Sequence, residues 1–255
     1  MTEKIYKKPK YYEIAFGFID PEKQVNLFED FISKYSKIEV DRVLDIGCGT
    51  SLQLREMAWR DYECLGLDRS QEMLDYLKHR VEEENITCET VNADMVDFKL
   101  EKKVDFAFIM MGTINLMKSN EDFLNHLNSV TESLRSGGLY LIENVGALEW
   151  LSEDLFGEDS WTESEGKINI KTTYSVELKD KLKQEVRETI KMEIEDGGNE
   201  GEFTEVMDRK LIFPQELLTL IKLNGEFEFL GWFERDRMKK LDEANKNNIV
   251  LLRRK

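Results

Sequence analysis

The chain of 255 residues is long enough for one large domain, or for one domain that carries an insertion. A formal net charge of −16 argues against a nucleic-acid substrate, because neutralising phosphates requires clustered Lys and Arg side chains. No run is apolar over the length that spans a bilayer, and the first residues lack the apolar segment of a signal peptide. We therefore expect a cytoplasmic protein without a membrane partner.

The first part of the chain predicts a helical segment. Residues 1–10 are polar and are expected to be loose, and aromatic side chains are frequent from Tyr11 onward. Pro21 then begins a helix, because proline is favoured in a first helical turn. The apolar side chains of that helix recur at helical spacing and define its buried face: Val25, Phe28, Phe31 and Ile32.

A strand, a glycine turn and a helix follow. Residues 42–46 are an apolar run, Gly47 and Gly49 interrupt it, and residues 52–60 have the pattern of an amphipathic helix. Glycines at such a turn let the backbone approach a ligand closely, and the helix start offers free N–H groups. A second apolar run ends about twenty residues later in Asp68, where an acid can grip a ribose diol. The combination indicates a nucleoside ligand.

The details of this turn distinguish between kinds of nucleoside. A dinucleotide site requires a third glycine, where this chain has Leu52, and the carboxylate of Asp45 would repel a pyrophosphate but suit a cationic amino acid. Residues 45–51 resemble motif I of the class I S-adenosylmethionine-dependent methyltransferases, with Ser51 in place of the last glycine. Residues 66–74 resemble the second motif of that family and residues 92–95 the third, and the resemblance covers roughly residues 10–145.

The remaining core elements are predicted in sequence. Ser70 caps a helix over residues 71–84, residues 86–91 form a third strand, and residues 104–111 form a central strand because nearly all are apolar. Asn120 is placed as the cap of the next helix, and residues 139–142 form the fifth strand. The last helix begins at Pro214 and stops at Asn224-Gly225. The final two strands are expected over residues 227–233 and 248–252.

The pattern changes after residue 146. Residues 148–156 are expected to form a short amphipathic helix, and three runs of alternating polarity then predict antiparallel strands over residues 167–178, 181–194 and 202–213. The resemblance implies a Rossmann-like, doubly wound α/β fold whose seven-stranded, mostly parallel sheet carries this β-meander between core strands 5 and 6. It divides the chain into an N-terminal helical lid (1–40), a cofactor-binding core (41–146), an inserted substrate roof (147–213) and the last core elements (214–255).

The resemblance also implies a cofactor, S-adenosylmethionine, and positions for it. Asp45 and the turn would hold its methionine part, Asp68 its ribose, and Asp94 with Met95 its adenine. The ring of Tyr12 would face the sulfonium, with Tyr11 as the near alternative. The cofactor-binding residues are expected to be Tyr12, Asp45, Gly47, Gly49, Asp68, Arg69, Asp94, Met95 and Met110. Substrate contacts are expected from Thr113, Asn115, Tyr174 and Arg187, with Trp161 as a further pocket-lining candidate.

The chemistry expected is methylation of a small molecule by in-line displacement, as in the similar glycine, sarcosine and amino-sugar N-methyltransferases. The sequence points to no particular residue as a catalytic base. Because a neutral amine needs no strong base and a hydroxyl usually does, this favours an amine acceptor. His79 and His126 are expected on the surface, and Cys48, Cys64 and Cys88 as reduced, buried thiols, so we expect no metal. Two alternatives stay open: a protein or RNA methyltransferase, and a non-catalytic binding module. The protein is expected to be a monomer or homodimer.

Overall fold

The computed structural model describes residues 4–145, 157–241 and 247–255, and strands and helices alternate along the first half of the chain. The helices are α1 (Pro9–Ala15), α2 (Pro21–Tyr35), α3 (Leu52–Trp59), α4 (Gln71–Glu83), α5 (Asn120–Ser133) and α6 (Pro214–Asn224). The strands are β1 (Arg42–Ile46), β2 (Glu63–Asp68), β3 (Cys88–Asn92), β4 (Val104–Ile109), β5 (Leu134–Glu143), β6 (Gly157–Glu165), β7 (Ile168–Asp180), β8 (Glu185–Asp196), β9 (Asn199–Lys210), β10 (Phe227–Glu234) and β11 (Asn248–Arg254).

Seven strands form the central sheet in the order β10-β11-β5-β4-β1-β2-β3. Strands β1 to β5 pair in parallel, whereas β11 is antiparallel to both β5 and β10. The strand order reverses direction next to β1, which is where open parallel sheets bind ligands at the carboxyl ends of their strands. The predicted seven-stranded, mostly parallel sheet is confirmed.

Helices cover both faces of this sheet, which explains why its central strands are apolar throughout. On one face Val43, Phe106 and Phe108 pack against α2, α3 and α4. On the other face Leu44 and Ala107 pack against α5 and α6. Because successive strand residues point to opposite faces, β1 and β4 need apolar side chains at nearly every position.

The second sheet is an antiparallel meander in the order β6-β7-β8-β9, and it lies in the chain between β5 and α6 as predicted. Its inner face buries Ile170, Ile190 and Met192 against Ile14 and Phe16 from the region of α1. Strand β6 was not predicted, because it is an edge strand whose side chains are nearly all polar and exposed. The helix expected over residues 148–156 lies outside the described residues.

Two local expectations need correction. Residues 1–10 were expected to be loose, yet Ile5–Lys7 form a 3-10 turn, Pro9 begins α1, and Ile5 is buried under the meander. The cap of α5 is Ser119, whose hydroxyl accepts the N–H of Asp122, and not Asn120. Ser70, Pro21 and Pro214 begin their helices as predicted.

The prediction for His126 was wrong. Its imidazole is fully buried, with Nδ1 2.8 Å from the carbonyl of Met95 and Nε2 2.6 Å from the hydroxyl of Tyr140. Burial lowers the pKa of His126 to about 4, so the ring is neutral. His79 is exposed as expected. Among the cysteines, Cys48 and Cys64 are buried and Cys88 is half-buried, and all three are free thiols.

None of the helices within the described parts of the chain combines the length and the apolar character that crossing a bilayer requires.

Candidate active site

A cleft of about 760 Å³ opens at the carboxyl ends of β1, β2 and β4. The central sheet forms its floor, α1 with the preceding turn closes one side, and Glu205 of β9 reaches it from the meander. A ligand in this cleft would therefore be enclosed between the sheet edge and two segments that do not belong to the central sheet.

The turn after β1 has the conformation that its glycines predict. Gly47 has a φ of +69°, and the N–H groups of Gly47 and Cys48 both donate to the carbonyl of Leu67, at 2.7 and 3.0 Å. A Cβ atom added to Gly47 would lie 2.7 Å from Cγ2 of Thr113, so a side chain has no room there. Gly47 is therefore packed against Thr113, whereas an added Cβ at Gly49 would meet no atom within 4 Å, so a ligand can approach the backbone closely at Gly49.

Ser51 has a definite role at the position where the family motif usually has glycine. Its φ of +39° lies in the left-handed region, and its hydroxyl accepts the N–H of Leu54, which caps α3. The same hydroxyl donates to Oδ2 of Asp45 over 2.6 Å. The serine thus replaces the conformational freedom of glycine with two hydrogen bonds that fix the turn.

Asp68 ties the first two strand ends together. Its Oδ2 accepts the N–H of Gly49 and its Oδ1 accepts the N–H of Ser70, both at 2.8 Å. Burial raises the pKa of Asp68, and the two N–H groups oppose that rise. The carboxylate lines the cleft and keeps lone pairs that a ligand hydroxyl can use.

Asp45 is the most strongly perturbed acid of the cleft floor. It is 2% exposed, and burial, opposed by the Ser51 hydrogen bond and reinforced by the nearby charges of Asp68 and Glu143, raises its pKa to about 7. A buried carboxyl held in this way gains from a positive charge placed beside it.

Two further strand ends are held in left-handed backbone conformations. Met111 follows β4 with a φ of +55° and Asn144 follows β5 with a φ of +52°. The buried carboxylate of Glu143 accepts the N–H of Met111 over 2.5 Å and pairs with Arg235. Non-glycine residues with such φ values are uncommon and concentrate at functional sites. Ser51, Met111 and Asn144 mark this edge of the sheet as such a site.

The two candidate tyrosines of the lid differ in position. Tyr12 lines the cleft, its hydroxyl lies 3.9 Å from Sδ of Met111, and burial raises its pKa well above the usual range. Tyr11 instead donates to Asp196 over 3.0 Å and stacks on Phe203 of the meander. Of the two rings, only that of Tyr12 is available to a ligand in the cleft.

The structure brings most of the expected site residues together. Those that line the cleft are Tyr12, Asp45, Gly47, Gly49, Asp68, Arg69, Asp94, Met95, Met110 and Thr113. Three expected substrate contacts lie elsewhere. Asn115 donates to the carbonyls of Gly112 and Asn144, at 3.1 and 2.9 Å, and so joins the ends of β4 and β5.

Tyr174 and Arg187 lie on opposite faces of the meander. Tyr174 lies on the inner face. Burial raises the pKa of Tyr174, and the nearby charge of Glu188 raises it further. Arg187 pairs with Asp208 on the outer face and does not reach the cleft. Arg187 is therefore not among the residues that line the cleft. Trp161 joins the meander to the lid by donating to the carbonyl of Ala15 over 2.7 Å.

Several cleft residues were not anticipated. Tyr6, Glu13 and Glu205 all line it. Glu13 anchors α1 through a 2.7 Å ion pair with Arg55. The sequence signal for Glu205 was available, because the two-residue period places it on one strand face between the apolar side chains of Phe203 and Met207.

The meander is also attached directly to the floor of the cleft. Arg209 of β9 pairs with the buried Glu188 of β8, and its Nη1 donates to the carbonyl of Gly112 over 2.9 Å. Gly112 directly follows Met111, so the roof sheet contacts the same turn that Glu143 holds from the other side.

The chain is similar in sequence and in fold to known methyltransferases. Residues 43–138 match the family described as "Methyltransferase domain". The dTDP-3-amino-3,4,6-trideoxy-α-D-glucopyranose N,N-dimethyltransferase of Streptomyces venezuelae is 25% identical over 157 residues, which cover 60% of this chain and 62% of the relative. The match thus spans less than two thirds of that protein.

Solved structures resemble the chain over nearly its whole length. An S-adenosylmethionine-dependent methyltransferase from Clostridium acetobutylicum has a TM-score of 0.80 at 17% identity, covering 95% of both chains. DesVI from Streptomyces venezuelae has a TM-score of 0.79 at 16% identity, covering 96% of both. Residues 43–138 thus match a methyltransferase domain, as the sequence motifs predicted, and the described chain shares the fold of these S-adenosylmethionine-dependent methyltransferase structures.

Proposed function

We propose that the chain transfers a methyl group from S-adenosylmethionine to an amine of a small molecule. The observation that carries the proposal is the pair of acids at the glycine turn. Asp68 fixes the turn through Gly49 and still faces the cleft, while Asp45 is buried beneath it with a pKa raised to about 7. A ligand with both sugar hydroxyls and a positive charge satisfies both carboxylates.

The cleft residues fit the parts of this cofactor. The turn leaves open space at Gly49, where an added Cβ would meet no atom within 4 Å, and this space suits the methionine part with its ammonium near the carboxyl of Asp45. The ribose hydroxyls match the free lone pairs of Asp68, and the adenine matches Asp94 and Met95 at the end of β3. Tyr12 and Met110 offer a ring face and a thioether to the sulfonium, which is attracted to aromatic rings.

The chain itself contributes mainly positioning and exclusion of water. The bound cofactor supplies a methyl group that is already activated on a sulfonium, so a well-placed nucleophile suffices. The aromatic residues Tyr6, Tyr12 and Phe16 pack side by side over the cleft, with ring centroids 5.8 and 4.7 Å apart, and keep water away from the reacting atoms.

The charge of the cleft favours an amine acceptor over a hydroxyl acceptor. Seven acidic residues and four basic residues line it within the described chain, so a cationic or hydrogen-donating group is attracted. The curated relative from Streptomyces venezuelae is named for dimethylating a dTDP-amino sugar, which supports an amino sugar as one acceptor class. Enclosure by α1 and the meander argues against a protein or RNA acceptor, which would need an open surface.

Two measurements test the proposal. Calorimetric titration with S-adenosylhomocysteine should show binding by the wild-type chain. Incubation with methyl-labelled S-adenosylmethionine and a cell extract separated by size should place the label in the low-mass fraction, bound to nitrogen. Absence of binding would overturn the cofactor assignment, and label in protein or RNA would overturn the acceptor class.

A further inference from the structure

A carboxylate of the meander that lines the cleft has one oxygen without a hydrogen-bond partner among the described residues. Glu205 lies in β9 on the inner face of the meander, between Phe203 and Met207 along the strand, and is 7% exposed. It lines the same cleft as Gly47 and Gly49 of the turn after β1. Its neighbour on the same face, Arg209, is engaged with Glu188 and with the carbonyl of Gly112.

The two oxygens of Glu205 are left nearly unpaired. Oε2 accepts no hydrogen bond from the described residues, and Oε1 lies 3.8 Å from Nζ of Lys4, which is largely exposed to solvent. An exposed lysine at that distance contributes little. Glu188, in the adjacent strand, shows the usual solution for a buried acid here, since an arginine neutralises it.

A buried carboxylate without a partner is costly, so its retention in a ligand cleft indicates a partner that arrives from outside. The partner must carry N–H groups or positive charge, because a carboxylate only accepts hydrogen bonds. The proposed function assigns the cofactor's ammonium to Asp45, which leaves the carboxylate of Glu205 for the second substrate.

We propose that Glu205 binds the amine of the methyl acceptor, and hence that this amine enters beneath β9 with at least one N–H directed to the carboxylate. The inference rests on the proposed function and adds the residue that selects for an amine. A neutral analogue with a hydroxyl in place of the amine would make a weaker hydrogen bond and would bring no charge to the site.

The test uses binding, so that it does not depend on finding the true acceptor. The full chain is saturated with S-adenosylhomocysteine and titrated calorimetrically with ethanolamine and with glucosamine, and in parallel with their neutral counterparts ethylene glycol and glucose. The variants are Glu205→Gln and, as a matched control, Glu202→Gln. Glu202 lies on the same strand but on the outer face, where it pairs with Lys191 at 2.9 Å.

We expect the wild-type complex to bind at least one amine more tightly than its neutral counterpart. Glu205→Gln should weaken that amine by roughly tenfold or more, the usual effect of losing a charge-assisted hydrogen bond, while Glu202→Gln should leave it unchanged. Equal binding of amines and neutral counterparts, or an unchanged preference in Glu205→Gln, would overturn the inference.

The cofactor titration separates the two proposals. Both variants should bind S-adenosylhomocysteine as the wild type does, because Glu205 is assigned to the acceptor. A loss of S-adenosylhomocysteine affinity in Glu205→Gln would assign the carboxylate to the cofactor and overturn the inference. If the wild type itself does not bind S-adenosylhomocysteine, the proposed function fails, whereas the preference for amines can still be measured on the free protein.

Discussion

Asp45 offers the sharpest test of how the site is built, because its carboxyl is held in an environment that disfavours its charge. Burial raises its pKa from 3.8 to about 7, and one serine hydroxyl is the hydrogen-bond donor that opposes the rise. Asp45→Asn removes the ionisable group, keeps nearly the same shape and can still accept the hydrogen bond of Ser51. Without bound ligand, we expect Asp45→Asn to have a larger free energy of unfolding than the wild type at neutral and alkaline pH.

The magnitude follows from the difference between the two pKa values. A group whose pKa is higher in the folded state contributes stability below its unfolded pKa and loses it as the pH rises through the folded value. For Asp45 the window runs from about pH 4 to about pH 7. At ~1.4 kcal/mol per pH unit, the loss is about 2 kcal/mol at pH 5 and about 4 kcal/mol at pH 8. Asp45→Asn does not lose this free energy of unfolding, because its amide does not ionise.

Urea unfolding of both proteins at pH 5 and at pH 8 measures the effect. The gain from Asp45→Asn should be about 2–3 kcal/mol larger at pH 8 than at pH 5. Asp105→Asn is the matched control, because Asp105 is equally buried in the same sheet but accepts two N–H groups, from Asp41 and Arg42, and pairs with Arg135 at 2.8 Å. That variant should be destabilised. A gain from Asp45→Asn that does not change between the two pH values would refute the reasoning.

Three other outcomes are expected. Asp68→Ala should abolish measurable binding of S-adenosylhomocysteine in a calorimetric titration, while Asp75→Ala on the exposed side of α4 should leave it intact. Gly47→Ala should cost about 1–2 kcal/mol of unfolding free energy from its positive φ alone, and it should weaken S-adenosylhomocysteine binding because the added methyl clashes with Thr113. Adding Thr113→Ser, which removes the clashing methyl, should recover part of that affinity. Because His126 is buried with a pKa near 4, the unfolding free energy of the wild type should fall by up to about 3 kcal/mol between pH 6.5 and pH 4, and that of His126→Gln should not show this fall. Urea unfolding at both pH values measures it, and parallel pH profiles of the two proteins would contradict the prediction.

The core of the fold was predictable because its signals are local. The strand of β1, the turn at Gly47 and the helix after Ser51 depend on residues adjacent in sequence, and the acid at position 68 follows at the distance that one βαβ unit imposes. The apolar run of β4 reports burial on both faces without any knowledge of its neighbours.

The errors occur where tertiary contacts override local pattern. His126 has polar neighbours in sequence, but it lies one helical turn from Phe123 and from Val130, on the buried face of α5. No local signal reveals the Tyr140 hydroxyl that satisfies its ring.

The alternation of β8 could have been used more fully. Glu188 shares its face with Ile190 and Met192, and the period of two then places Arg187 on the opposite, outer face. A strict application of that period selects Glu188 and excludes Arg187. In the same way it selects Glu205 in β9, where a charge interrupts an apolar face.

The meander and the central sheet are joined at one turn, because both contact the backbone that follows β4. Arg209 of the meander donates to the carbonyl of Gly112, and Glu143 of β5 accepts the N–H of Met111. The backbone between these two contacts has positive φ at both residues, a conformation that needs support from its surroundings. A change that loosens the meander therefore acts on the turn after β4, which borders the cleft, so the inserted sheet and the central sheet support the same candidate site.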